Sequence, residues 1–124
     1  MQLMQLLKGK LHHARVTHCQ PEYKGSIGIS PDLMEAAGII EGEQVHVWAV
    51  DHKARIVTYA IPADEDGVIA LKGGAARHFR VGDRVVIAAF VLSDSPVAPK
   101  VAVLNKRNGI KSGEANKKKS KGGK

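Results

Sequence analysis

The sequence predicts a small, mainly β protein: a closed barrel of six or seven short strands with one or two short helices. Three observations predict it. Turn residues recur roughly every 8 to 12 positions between short runs of β-branched residues. Hydrophobic residues make up 44% of the 124 but aromatics only 4%, so the core must be built from Val, Ile, Leu and Ala, which suit packed sheets. The chain is also long enough for one modest core and too short for two, and closing a sheet on itself is how a small all-β domain disposes of its edges.

From Leu3 to Cys19 the chain reads as extended structure broken near Gly9, with Val16 and Thr17 favouring strand. Gln20-Pro21 interrupts it, and Ile27 and Ile29 give a short strand after Gly25-Ser26. Ser30-Pro31-Asp32 starts a helix, with serine at the N-cap and proline at the first turn; Leu33 to Ala37 continue it and Gly38 stops it. Glu41-Gly42-Glu43 is a turn. Val45, Val47 and Ala49 then alternate with His46, Trp48 and Val50 in a strand, and Asp51 to Lys53 close a hairpin. Ile56 to Ile61 is the strongest strand signal, ended by Pro62 and the acidic turn Asp64 to Gly67; Thr58 and Tyr59 should face opposite sides of it. Val68 to Leu71 gives another strand, Gly73-Gly74-Ala75-Ala76 a short turn, Arg84 to Leu92 a long apolar strand, and Lys100 to Leu104 the last one.

The net charge of +7 is unevenly placed. Residues 1–105 carry 11 Lys and Arg against 11 Asp and Glu, whereas 106–124 hold eight positive charges against the single negative charge of Glu114. The expected organisation is therefore a neutral domain over 1–105 and a disordered lysine-rich tail over 106–124. A neutral body argues against nucleic-acid binding, which needs basic residues displayed on a folded face. No apolar run approaches the roughly 20 residues that span a membrane, Lys8 and Lys10 interrupt any leader core, and the lone Cys19 has no disulfide partner within the chain. A cytoplasmic protein is expected. The six histidines show no ligand spacing, so no metal site is expected.

The chemistry concentrates at Tyr23-Lys24-Gly25-Ser26. A serine hydroxyl that attacks the preceding carbonyl converts the amide to an ester, and elimination followed by hydrolysis leaves a pyruvoyl ketone at residue 26. Gly25, lacking a Cβ, tolerates the strained approach this needs. Alongside Lys10, Arg55, Thr58 and Tyr59, such an electrophile points to a decarboxylase acting on an amino acid with a second carboxylate. Arg55 can hold a carboxylate through two parallel hydrogen bonds, which carboxylate being left open, and Lys10 can add a second positive charge.

Gly9-Lys10-Leu11-His12, Val16-Thr17-His18, Tyr23-Lys24-Gly25-Ser26, Ala36-Ala37-Gly38-Ile39, Thr58-Tyr59-Ala60-Ile61, Gly74-Ala75-Ala76 and Val81-Gly82-Asp83 together resemble the pyruvoyl-dependent aspartate 1-decarboxylase family over residues 4 to 104. The resemblance implies a double-psi β-barrel proenzyme, cut between Gly25 and Ser26, that converts L-aspartate to β-alanine for pantothenate synthesis as a homotetramer with inter-subunit sites. It leaves open whether the cut is spontaneous or assisted by a maturation partner. It also implies roles: the Ser26 ketone forms a Schiff base with the substrate amine and acts as an electron sink, Thr58 stabilises the oxyanion during the cut, Tyr59 donates a proton to the carbanion, and Gly74, Ala75 and Ala76 offer backbone groups to substrate. His12 lies near the site by family position only. Two positions depart from the pattern: Gly73 stands where asparagine is usual, and Ile27 where some members have cysteine. Two other readings are an unprocessed, non-catalytic relative and a β-barrel module that contacts nucleic acid through its tail.

Overall fold

Apolar alternation sets the strands. In the computed structural model, which describes residues 1–113, these are β1 (Met4–Arg15), β2 (His18–Gln20), β3 (Ser26–Ile29), β4 (Gln44–Ala49), β5 (Arg55–Pro62), β6 (Ile69–Lys72), β7 (Arg84–Ser93), β8 (Lys100–Leu104) and β9 (Ile110–Gly113). Helix α1 (Pro31–Ala37) follows β3, and a 3-10 helix (Gly73–His78) follows β6. The strands form one mixed sheet in the order β2-β6-β3-β5-β4-β7-β1-β8-β9. Its parallel pairs are β1–β8, β2–β6 and β3–β5. The result is the small, mainly β, barrel-like fold expected, wrapped around a core that includes Leu11, Ile27, Ile29, Val47, Leu71 and Ile87, all fully buried.

Thr17 closes the sheet at one end. Its backbone N–H and its hydroxyl both donate to the Ile69 carbonyl, at 2.8 and 3.0 Å, and the hydroxyl accepts from the Ile69 N–H at 2.9 Å. That clamp ties the β1–β2 connection to the start of β6, and so fixes the sheet that carries β3.

Three local expectations need correction. Strand β1 runs unbroken through Gly9; what changes there is the pairing register with β7, which shifts between Leu7 and Gly9. Glycine is required because a Cβ at this position would lie 1.7 Å from the Ala37 carbonyl oxygen, at the end of α1. Ser30 occupies the N-cap position of α1 without capping it: its buried hydroxyl accepts instead from the Gly67 N–H at 3.2 Å. Gly38 does end the helix, in the left-handed region at φ 68°.

The third correction concerns the end of the chain. Strand β8 is not the last, because β9 pairs antiparallel with it. Between them Asn108 is buried at 2% exposure. Its Oδ1 accepts from the Arg15 N–H at 2.6 Å, and its Nδ2 donates to the carbonyls of Arg15 and Gly67 at 2.9 and 2.8 Å. The folded body thus reaches Gly113 rather than stopping at 105, and the rest of the expected tail, residues 114–124, lies outside the described residues.

Candidate functional site around the Gly25–Ser26 bond

Residues Pro21 to Gly25 are all exposed, and every residue of β3 is buried. The change from one to the other falls on the Gly25–Ser26 peptide. Ser26 is 2% exposed and pairs with Lys72 of β6, while Ile27 pairs with Ala60 of β5 in parallel. Continued back one position, this register sets Ser26 beside Tyr59, with Gly25 just before the strand. The loop before the bond is held by a Tyr23 N–H to Gln20 carbonyl bond of 3.3 Å, and the Lys72 ammonium sits 5.7 Å from the centre of the Tyr23 ring.

The strain expected of Gly25 is absent from the intact chain: its φ is not in the left-handed region, and a Cβ there would meet open space. The strained glycine is its neighbour in space, Gly73, at φ 67°. Gly73 is buried, and it opens the 3-10 helix that carries Gly74, exposed, Ala75, half-buried, and Ala76, buried.

Strand β5 alternates from Arg55 to Ala60, so Thr58 and Tyr59 do face opposite sides; Thr58 is half-buried and Tyr59 is 43% exposed. Arg55 shares the exposed face with Val57 and Tyr59, but stands four residues, roughly 13 Å, from Tyr59 along the strand. Its guanidinium lies 4.6 Å from the centre of the Trp48 ring, its cross-strand partner. Lys10 belongs to a row running Lys10, Ala88, His46, Val57 across β1, β7, β4 and β5. It is therefore three strand spacings, roughly 14 Å, from β5. The fold brings Gly25, Ser26, Thr58, Tyr59 and the start of the 3-10 helix together; within one chain it leaves Lys10 apart and Arg55 at the far end of β5.

Sequence reasoning paired Trp48 with Arg55 in the family hairpin but passed over Lys72, His46 and Phe90. The ring of His46 meets those of Trp48 and Phe90 edge-on, at 5.9 and 5.2 Å, on the face that carries Arg55. The alternation of His46 and Trp48 with buried Val45 and Val47 was the available signal. His12 stacks on His13, ring centres 3.9 Å apart, and its pKa is pushed below the usual histidine value by burial, then by the charges of His13 and Lys10. Burial, with a contribution from Asp83, raises that of the Cys19 thiol. Among the described residues, no three His, Cys, Asp or Glu side chains cluster as metal ligands.

The chain is similar to known proteins. The family model described as aspartate decarboxylase matches residues 1–111. The aspartate 1-decarboxylase of Xanthomonas oryzae pv. oryzae is 47% identical over 112 residues, covering 86% of this chain and 89% of that protein. That of Xanthomonas campestris pv. campestris is 56% identical over 88 residues, 70% of each chain. The enzyme of the same name from Leptothrix cholodnii is 46% identical over 111 residues, covering 86% of this chain and 85% of that protein. With the match running from Met1 into β9 and across every residue of the site, the chain belongs to the aspartate decarboxylase family.

Proposed function

We propose that the protein is a self-processing aspartate 1-decarboxylase that cuts its own Gly25–Ser26 bond and releases β-alanine and carbon dioxide from L-aspartate. One observation supports the processing step: the bond lies where an exposed loop meets a strand buried and paired on both sides, next to the strand β5 that carries Thr58 and Tyr59. The Ser26 oxygen bonds to the Gly25 carbonyl carbon as the C–N bond breaks, and the hydroxyl proton passes to the Ser26 nitrogen. Thr58, on the neighbouring strand β5, stabilises the oxyanion. Loss of the Ser26 α-proton then breaks the Cβ–O bond, which frees the Gly25 carboxylate and leaves a dehydroalanine. Its imine tautomer takes up water and releases ammonia, leaving the ketone.

The residues present fit such a group. A new terminus at 26 stays anchored in β3, and the released end at Gly25 lies in solvent-facing chain. The pyruvoyl group supplies an electron sink for decarboxylation. The chain's own residues do the rest: Tyr59 presents its phenol to protonate the substrate carbon, Arg55 holds a carboxylate as a fork, and the 3-10 helix brings Gly74, Ala75 and Ala76 close to bound substrate.

A second copy completes the site in this reading. Val57 and Tyr59 are 53% and 43% exposed on the face that holds Arg55, and Lys10 stands three strands away. A homotetramer that covers this face excludes water from the phenol and lets Lys10 of one copy serve Ser26 of another. The pathway reading is pantothenate synthesis in the cytoplasm, and among the described residues no helix is long and apolar enough to cross a membrane.

The intact mass of purified protein tests the proposal. The expected result is two chains, 1–25 and 26–124, the second lacking an amino terminus and reacting with carbonyl reagents. Ser26→Ala is expected to remain one chain without decarboxylase activity; a cut or active Ser26→Ala protein would overturn the reading.

A further inference from the structure

We infer that the protein carries an anion site apart from the Gly25–Ser26 region: a cleft between β1, β7 and the β8–β9 turn that takes the phosphate chain of a di- or triphosphate. The cleft measures about 290 Å³, and five of its seven lining residues are basic: His13, Arg15, Arg84, Lys106 and Lys111. A second hollow alongside shares Arg15 and Lys106 with it. Among the described residues, the one ion pair here joins Arg84 to Asp51, with Nη2 2.6 Å from Oδ1 and Nε 3.0 Å from Oδ2. Two arginines and two lysines against that single carboxylate leave three positive charges unanswered, before His13 is counted. The Asp51 carboxyl is held below its ordinary value first by the hydrogen bond from Arg84, with the charges of Arg84, Arg15 and His13 adding to it. Those cations therefore share one field.

The basic groups are held in place by the fold. Arg15 donates from Nη1 to the Gly82 carbonyl at 3.2 Å, and its backbone N–H and carbonyl are both bonded to the buried Asn108 amide. Lys106 rides on a turn closed from within: the Asn105 side-chain oxygen accepts from the N–H groups of Arg107 and Gly109 at 2.9 and 2.8 Å, and the Asn105 N–H donates to the Gly109 carbonyl at 2.8 Å. His13 has φ 61°, in the left-handed region, where the register of β1 with β7 shifts between Leu11 and Ala14. Backbone of this kind in a residue other than glycine costs energy and gathers at functional sites. Here it turns an imidazole to the cleft and stacks it on His12.

The chemistry selects the ligand. Lysine ammoniums and the free donors of Arg15 suit phosphate oxygens, and an anion of one charge would leave most of the excess unbalanced. A phosphate chain concentrates several charges in a small body, which matches a cleft near the lower end of the roughly 300 to 1,000 Å³ of ligand pockets. Apart from His13 the lining holds no aromatic ring on which a base could stack. Recognition thus falls on the phosphates, and a nucleoside attached to them would project outward.

Titration calorimetry of the purified full-length protein with pyrophosphate, and separately with ADP, tests the site. One pyrophosphate per chain is expected, with ADP of comparable affinity and both weakened by added salt. Lys106→Gln combined with Lys111→Gln should weaken binding by at least about tenfold and leave the melting temperature unchanged. Lys53→Gln combined with Arg107→Gln removes the same charge from exposed residues outside the cleft and should bind as the parent does. A chain ended after Gly113 should also bind like the parent. Equal weakening in the Lys53/Arg107 pair would reduce the site to diffuse attraction, and loss of binding in the shortened chain would move it to residues 114–124. Either result, no saturable binding of pyrophosphate, or binding of ADP alone, would overturn the inference; none of them bears on whether the Gly25–Ser26 bond is cut.

Discussion

At the scale of single residues, the predicted chemistry divides between two steps that mutation can separate. Thr58→Ala is expected to slow the cut while leaving the fold intact, since a half-buried strand hydroxyl contributes little to packing. Tyr59→Phe should be cut normally and then turn over aspartate about a hundred to ten thousand times more slowly, as measured by β-alanine release from fully processed protein. His12 adds a pH dependence. Its folded pKa lies below 6.5, so the proton it would take up when unfolded is resisted in the fold. The stability it contributes is complete above about pH 6.5 and is lost as pH falls through the lower folded value; melting temperature should decline over that range, and less steeply in His12→Gln. Ser26, Thr58 and Tyr59 could be named as candidates because they sit in short contiguous motifs. Lys72 could not, because its place beside Ser26 follows from the pairing of β3 with β6, a register that no local pattern encodes.

At the scale of elements, strands dense in apolar residues were read nearly to the residue: β4, β5 and β7 lie within two positions of their expected ends. What escaped was held by polar or steric detail. Strand β9 carries one large apolar residue, Ile110, which is 43% exposed, and what fixes the turn before it is an amide rather than a hydrophobic side chain. Asn108→Ala removes three hydrogen bonds to the half-buried backbone of Arg15 and Gly67, and occupies φ 62° with a less tolerant residue. A loss of about 3 kcal/mol is expected by denaturant unfolding. Gly9→Ala should cost about 2 kcal/mol or more, because α1 must move off β1 to admit the methyl group.

At the scale of the whole molecule, the balance of charge read over residues 1–105 does not extend to the body's limit: with Lys106, Arg107 and Lys111 included, residues 1–113 carry 14 Lys and Arg against 11 Asp and Glu. A chain ended after Gly113 is expected to keep its melting temperature and activity; one ended after Asn105 loses Asn108 and β9 and should fail both measurements. Light scattering on the processed protein should report a tetramer, and reversing the charge at Arg55 should weaken both assembly and turnover. One consequence of the strand order reaches beyond catalysis. Strand β1, paired along one edge with β7 and along the other with β8, belongs to the 25-residue piece that a cut releases from its covalent tether. Before the cut, folding is a unimolecular event that any diluted chain can repeat. Afterwards the two pieces must find each other, so recovery from unfolding becomes dependent on concentration, and the mature protein's endurance is governed by how slowly β1 is lost rather than by how readily it returns.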